Sequence, residues 1–456
     1  AHWLATFIHL NDVSRNAARY CSPLGLQARR VALQDIVENL STIHTRNVST
    51  DVSLNERLAH IVQKWIVAAQ YALKELERKP ELAGSIGNPY MPGTTLKLHD
   101  SLFVGRRDLA QQLGDTLDGQ RRLTFLLHGE RRMGKSSTLR QLPNLLGARY
   151  LPVFFDLQTP GISSSAAAFL REVAKRTYDT LSSGGIRIRG LDPKSLERAR
   201  LENEAAVYYP IDEWLDEVEQ VLETTGRIVI LTFDEFEQLE DAGLSGRLNL
   251  YLLLNWFRNV IQNRSKIALL FSGIQTFAHL GANWSSHFVN VQTLRVSFLK
   301  PDETYRLITR PVPHFPSEQI FGEHVVEAVI KETGCHPFLV QAVCSALIEI
   351  LNAENRSKSG LHDVDVAVQR VFTKWENYFQ DLWMRTGEEQ KKCLIALEAL
   401  EEGTLPKIER ETRLDRRTMR RTLATLVDRD LVSTSGDSYK IATPIFSKWI
   451  ALNADL

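Results

Sequence analysis

No net charge remains on this chain, in which 55 Lys and Arg balance 55 Asp and Glu. A global field that would draw in nucleic acid or a membrane surface is therefore missing, and such a partner requires a local patch. Cysteine is scarce: Cys21, Cys335, Cys344 and Cys393 are scattered, with no C-x-x-C spacing. That pattern speaks against a zinc framework or a disulfide set and for reduced, buried thiols in a cytoplasmic compartment. No apolar run approaches the ~18–20 residues that a membrane-spanning helix needs, so no membrane partner is expected. HExxH, GxSxG and paired Cys/His ligand sets are missing too, and His9, His44, His60 and His99 lie apart. The chain opens AHWLATFIHL, without Met and without a basic segment leading to a small-residue cleavage site. It reads as one part of a longer polypeptide.

At 456 residues the chain is too long for one ordinary core and divides into segments. Residues 1–87 are expected to be a helical adaptor with its linker. Ile61, Trp65, Ile66, Ala69 and Leu73 recur at helical spacing, Pro80 stops the last helix, and a Gly- and Pro-rich stretch follows to Ser101. From about 88 to 300 short β-rich runs alternate with helical stretches: Leu123–Gly129, Tyr150–Leu157, Ile228–Glu235 and Ile267–Gly273. Nearly continuous apolar strands joined by long crossovers predict an α/β core, a parallel sheet covered by helices on both faces. A helical lid is expected over 301–386, where Trp375, Tyr378, Phe379 and Trp383 fall at core-forming intervals. Residues 387–456 read as helices Gly387–Leu400, Pro406–Glu411 and Arg416–Val427, then strands Leu431–Thr434 and Tyr439–Ala442, an order that fits a winged helix.

One motif carries specific chemistry. Gly129-Glu130-Arg131-Arg132-Met133-Gly134-Lys135-Ser136 is a complete GxxxxGK[ST], set between an apolar strand and a helix that opens at Ser137. The glycines let backbone N–H groups turn towards phosphate, and the helix N-terminus adds partial positive charge. Lys135 would reach the β- and γ-phosphates and Ser136 would ligate Mg²⁺. About a hundred residues later, Ile228–Phe233 ends in Asp234-Glu235. A carboxylate there can hold Mg²⁺ through water, and the adjacent Glu235 can polarise the attacking water. Ser272, ending the strand Ile267–Phe271, is placed to bond the γ-phosphate or that water. The expected ligands are thus ATP or ADP with Mg²⁺, bound between residues 103 and 310.

With these motifs in place a family resemblance emerges. Phe103-Val104-Gly105-Arg106-Arg107-Asp108 resembles the FVGRxxE entry segment of the STAND class of AAA+-related signalling ATPases, with Asp108 in place of the usual Glu. GERRMGKSS, Phe233-Asp234-Glu235-Phe236-Glu237 and Gly334-Cys335-His336-Pro337 resemble the class's bacterial and archaeal members. The resemblance spans about Asn88 to Leu456. It implies that Val104 and Gly105 border adenine and that Pro337 closes the other side, and it makes His336 a candidate phosphate sensor, the alternative being a structural histidine. Preference for ATP over GTP is implied by it alone. It further implies an ADP-held off state, ATP-driven opening and homo-oligomerisation, slow regulatory hydrolysis, and an effector domain or protein outside this segment, in a setting such as bacterial defence or stress signalling. Arg258, Arg264, Arg295 and Arg310 are candidates for an arginine supplied to a neighbouring subunit.

The alternative is an AAA+-like DNA-binding ATPase of the initiator or transposition-regulator kind, or a nucleotide-bound scaffold. Arg416, Arg417, Arg420 and Arg421 share one face of the third C-terminal helix, opposite Met419, Leu423, Leu426 and Val427, and could grip DNA phosphates. Yet Arg385–Asp430 holds 11 Lys and Arg against 10 Asp and Glu, nearer neutrality than a DNA-binding module usually is.

Overall fold

Alternation along the strands builds the centre of the molecule. In the computed structural model, which describes residues 2–21, 26–44, 52–78, 86–119, 124–277, 280–313 and 315–453, five parallel strands form one sheet. They are β1 (Thr124–His128), β2 (Tyr150–Asp156), β3 (Ile228–Asp234), β4 (Ile267–Gly273) and β5 (Val291–Arg295), in the order β2-β3-β4-β1-β5. Odd and even positions go to opposite faces. Leu126, Val153, Phe155, Val229, Leu231, Phe233, Leu269 and Phe271 enter one core, and Phe125, Leu127, Ile228, Ile230, Ala268 and Leu270 enter the other. The first core is covered by helices Ala166–Ser183, Tyr208–Thr225 and Leu250–Asn263, the second by the helix Lys135–Leu146. Both faces being buried explains why the strands read as apolar runs rather than as alternating ones. The result is a parallel α/β sheet with helices on both faces, as the sequence predicts.

Two departures concern edges. β5 was not foreseen, because VQTLR is short, half polar and paired on one side only. The carboxyl-terminal residues form helices Glu388–Leu400, Leu405–Thr412 and Arg416–Asp428 as expected, with strands β7 (Val432–Ser435) and β8 (Ser438–Ile441). A two-residue strand β6 (Gly403–Thr404) adds to β8, and a further helix, Pro444–Asn453, follows. Two residues carry too little pattern to be read as a strand.

The chain divides into two compact units that are discontinuous in sequence. The larger contains Gly93–Leu307, Glu332–Leu339 and Asp381–Leu456, and so combines the sheet, the Gly334–Pro337 loop and the carboxyl-terminal module. The other contains Ala1–Pro92, Ile308–Lys331 and Val340–Gln380. In it, helices Leu26–His44 and Val52–Arg78 bury Leu33, Ile36, Leu40 and Ile43 against Val62, Ile66 and Ala69. Trp65 and Ile61 stay substantially exposed there, although the helical period alone placed them with Ile66. The stretch from Ile86 is tied by side chains rather than by a ladder: Tyr90 donates its buried hydroxyl to the Ile308 carbonyl, and Asn88 donates to Ser345. Pro80, the opening of the expected linker, and Leu123 lie outside the described residues. Cys335, Cys344 and Cys393 are free thiols. No helix among the described residues is long and apolar enough to cross a membrane.

Candidate nucleotide site

The strand-to-helix turn after β1 is shaped by four local features. Gly129 approaches the Val296 carbonyl so closely that a Cβ would collide with it. Arg132 and Gly134 take positive φ, 67° and 90°, which turns successive N–H groups inward. Gly134 is the N-cap of the helix Lys135–Leu146. Lys135 is 5% exposed and donates Nζ to the carbonyls of Gly129 (2.9 Å) and Glu130 (3.2 Å), which holds the ammonium inside the loop. Burial pushes its pKa down, opposed by the field of Glu235, Asp234, Glu130 and Glu237. Ser137, in the first turn of that helix, accepts from Leu96 N–H at 3.0 Å and so ties the segment at Leu96 to the helix start.

Strand register brings the second group to the same end of the sheet. Asp156, Asp234 and Ser272 are aligned across β2, β3 and β4. Ser272 is fully buried and donates to Asp234 Oδ1 at 2.9 Å, and the Ser136 hydroxyl donates to the same carboxyl group. Asp234 has its pKa raised by burial, an effect partly offset by those two hydroxyls and by Lys135. Glu235 follows just beyond the strand at φ 54°, a left-handed position that an L-residue adopts at a cost of about 1–3 kcal/mol and that is often kept for function. Its pKa is raised, chiefly by burial and against the pull of Lys135. Sequence reasoning passed over Asp156, whose only signal was a strand ending in Asp. In the structure it stands beside Asp234 and adds to the raised pKa there.

A hydroxyl and a carboxylate touching at a phosphate-binding turn are the oxygen donors that suit Mg²⁺, which takes one or two protein ligands and completes its shell with phosphate and water. Ser136 and Asp234 would therefore hold it. Among the described residues no cluster of three or more His, Cys, Asp or Glu forms an all-protein metal cage.

The expected base-binding residues cluster through Arg106. This buried guanidinium donates to the Met133 carbonyl at 2.9 Å and to the Phe298 carbonyl at 3.4 Å, binding the Val104–Gly105 segment to the P-loop. Leu299 N–H donates to the Cys335 carbonyl, which draws in the loop carrying His336 and Pro337. Gly105 is at φ 73° and leaves no room for a Cβ beside Glu303. His336 lies buried between the rings of Phe298 and Phe338, and its Nδ1 accepts from Phe338 N–H. Burial and the nearby Arg106 push its pKa down to about 3, so the imidazole is neutral. Arg132 reaches over the Phe338 ring and donates to the Gly93 carbonyl at 2.6 Å.

The carboxyl-terminal module touches this loop directly. Glu130 is 4% exposed at its side chain, accepts from Arg131 N–H and pairs with Arg429 Nε at 3.0 Å. Arg429 is itself held by Gln390. Arg131 pairs with Asp381. At the sheet edge Arg295 bonds the Val427 carbonyl and pairs with Asp430 at 2.6 Å, and Ser297 donates to the same carboxylate. Two arginines considered for a neighbouring subunit thus have internal partners: Arg295 here, and Arg264, which is buried among Asp212, Asp216 and Glu219. Arg258 and Arg310 are exposed.

Comparison with known proteins agrees with this geometry. Residues 117–280 match the family model described as an AAA domain. No curated protein matches the chain. Among solved structures, a Walker-type ATPase of Pyrococcus abyssi is 15% identical, with 78% of this chain and 98% of that one covered and a TM-score of 0.53. The ORC2 protein of Aeropyrum pernix is 12% identical over 80% of this chain and 97% of that one, TM-score 0.47. Cdc6p of Pyrobaculum aerophilum is 15% identical over 80% and 96%, TM-score 0.39. With its AAA-domain match and five-stranded parallel sheet, the chain has the fold of an AAA+ P-loop ATPase.

Proposed function

We propose that this protein is an ATP-binding and hydrolysing switch of the STAND type, in which the nucleotide sets the position of a carboxyl-terminal winged helix and so controls an effector outside this segment. The observation that supports it is the buried ion pair between Glu130, inside the phosphate-binding turn, and Arg429 of the module. A ligand that rearranges this turn acts at once on the contact that holds the module. In this structure Lys135 is satisfied by two carbonyls, and Asp234 by two hydroxyls. On binding, Lys135 Nζ would leave its carbonyls for the β- and γ-phosphates, and the N–H groups of residues 131–136 would line the phosphate chain. Ser136 and Asp234 would hold Mg²⁺, which when bound neutralises phosphate charge. Glu235 would take the proton of the attacking water, and Ser272 would orient that water or the γ-phosphate. A preference of several kcal/mol for one arrangement suffices to invert the population.

A second reading, a DNA-binding AAA+ ATPase, shares all of this chemistry and differs in output. It is favoured by one observation: Arg416, Arg417, Arg420 and Arg421 are all exposed on the helix Arg416–Asp428, with Arg410 and Arg413 also exposed just before it. Such a face would bind phosphates with an affinity falling steeply with salt.

The test is light scattering after size-exclusion chromatography, in ADP and in Mg·ATP, on the wild type and on Glu235→Gln. Monomer in ADP and assembly of the variant in ATP are expected for the switch. A monomer throughout, with salt-dependent binding of duplex DNA lost in Arg417→Ala/Arg420→Ala, would replace it by the second reading.

A further inference from the structure

Asp234 ends β3 with Glu235 on the turn that follows, and Ser272 is the next-to-last residue of β4, so hydrolysis at this site requires these two strand ends to keep one geometry. Three links join them. The Ser272 hydroxyl donates to Asp234. Phe236 N–H donates to the Ser272 carbonyl at 3.1 Å. The third is a carboxylate: Glu237 Oε1 accepts from both Ile274 N–H (2.6 Å) and Gln275 N–H (2.9 Å), two successive donors of the turn after β4.

The neighbourhood is built around that side chain. A Cβ on Gly273 would collide with the Glu237 carboxylate, so the glycine is what lets the carboxylate reach the turn. Glu237 Oε2 is buried and has no hydrogen-bond partner among the described residues. Around the clamp the chain is densely packed. Phe236 is fully buried against Phe271, Phe277 and Trp284, and Glu240 accepts from the Trp284 indole N–H. Glu235, the residue with strained backbone, sits between the anchored Asp234 and the anchored Phe236–Glu237 pair.

We infer that Glu237 is a positioning residue for hydrolysis, a clamp whose carboxylate fixes the turn after β4 against the turn after β3 so that Asp234, Glu235 and Ser272 face the phosphate as one unit. The inference rests on the ATPase reading given above. A clamp of this kind acts on the chemical step more than on binding, because its hydrogen bonds go to the turn after β4 and not to the phosphate-binding turn. Displacement of reacting groups by about 1 Å costs about a hundredfold in rate.

The experiment measures steady-state Mg·ATP turnover, nucleotide affinity with a fluorescent ATP analogue, and thermal midpoint, all on the full chain. Glu237→Ala is expected to lower kcat about 10- to 100-fold while affinity stays within about threefold. Glu237→Gln, which keeps Oε1 as an acceptor, should recover most of that loss. Gly273→Ala should lower kcat in the wild-type background and have little further effect in Glu237→Ala, since the collision then disappears. Equal, near-complete loss in Glu237→Gln and Glu237→Ala would overturn the inference by making Glu237 a proton acceptor. Unchanged kcat in Glu237→Ala, or affinity and thermal midpoint falling together with kcat, would overturn it as well. Wild-type turnover no higher than that of Glu235→Gln would defeat the ATPase reading itself and this inference with it, a result separable from the others because it appears before any change at 237.

Discussion

The two faces of the central sheet are filled by different chemistry. Beneath β2, β3 and β4, Phe155, Phe233 and Phe271 stand in register across three strands, with Phe155 and Phe233 stacked at 5.1 Å and Phe233 and Phe271 at 5.4 Å. Phe257, Phe277, Trp284 and Phe288 complete that core. The opposite face is mainly aliphatic: Leu127, Leu139, Leu142, Ile230 and Leu270 pack under the P-loop helix. Asp156, Asp234 and Ser272 are each the next residue after the phenylalanine row, so alternation turns them to the aliphatic, phosphate-binding side. One face is therefore aromatic packing that sets where the strand ends lie, and the other carries the hydrogen-bonded polar groups of the candidate site.

Breaking the platform should have the largest effect. Phe271 is fully buried and meets the rings of Phe233, Phe236, Phe257, Phe277, Trp284 and Phe288. Phe271→Ala is expected to cost about 3–5 kcal/mol, and Leu142→Ala on the other face about 2–3 kcal/mol. Urea midpoints on the two variants check the order, and a reversed order would remove the contrast between the faces. On the polar side the effect is on rate instead. Glu235→Gln should lower turnover about 10²- to 10⁴-fold with Mg·ATP still bound, measured as phosphate release beside analogue affinity. Arg429→Ala should weaken module docking and change ATP affinity about tenfold, a coupling within the usual 1–3 kcal/mol range. Titration calorimetry with ATP and with ADP checks it, and Glu130→Gln/Arg429→Ala should add little to the single change, because the pair is already broken.

How far these features were legible depended on sequence separation. The P-loop, its strand and its helix fall within some twenty residues, and each obeys a fixed local rule, so Gly129–Ser137 could be placed directly. Asp234-Glu235 was legible because a buried strand rarely ends in two carboxylates without cause. Strands with both faces buried announced themselves as apolar runs, whereas β5, with its polar positions and single neighbour, did not. Asp156 needed the register with β3 to become visible. The Glu237 clamp spans 37 and 38 residues, and the Glu130–Arg429 pair joins positions 299 apart. Nothing in local pattern links such residues, since their meeting is decided by the order of strands and the docking of a module.

The smallest expected effect is the most specific to the polar side. Burial raises the pKa values of both Asp234 and Glu235 in the folded protein. A carboxyl group whose folded pKa lies above its unfolded value favours folding while it is protonated, below the unfolded value near 4. That contribution is lost as pH rises through the folded pKa, because the charge that then forms is more costly inside than outside. At neutral pH the two carboxylates therefore oppose folding of the nucleotide-free protein, and Glu235→Gln should raise its thermal midpoint by a degree or a few. The gain should shrink as pH falls towards 4, where wild type and variant both carry a neutral group. The same shift acts on rate with the opposite sense: protonated Glu235 cannot accept the water's proton, so kcat/KM, which follows the groups of the free protein, should fall with acid at a higher pH than for an unshifted glutamate. Thermal melts of wild type and Glu235→Gln between pH 4.5 and 8, with wild-type kcat/KM over the same range, measure both. Phe271→Ala should shift every melt by a similar amount at all pH values, since an apolar cavity does not titrate. A pH-independent difference for Glu235→Gln would mean that the left-handed backbone at 235, rather than the buried charge, is what the site sacrifices in stability.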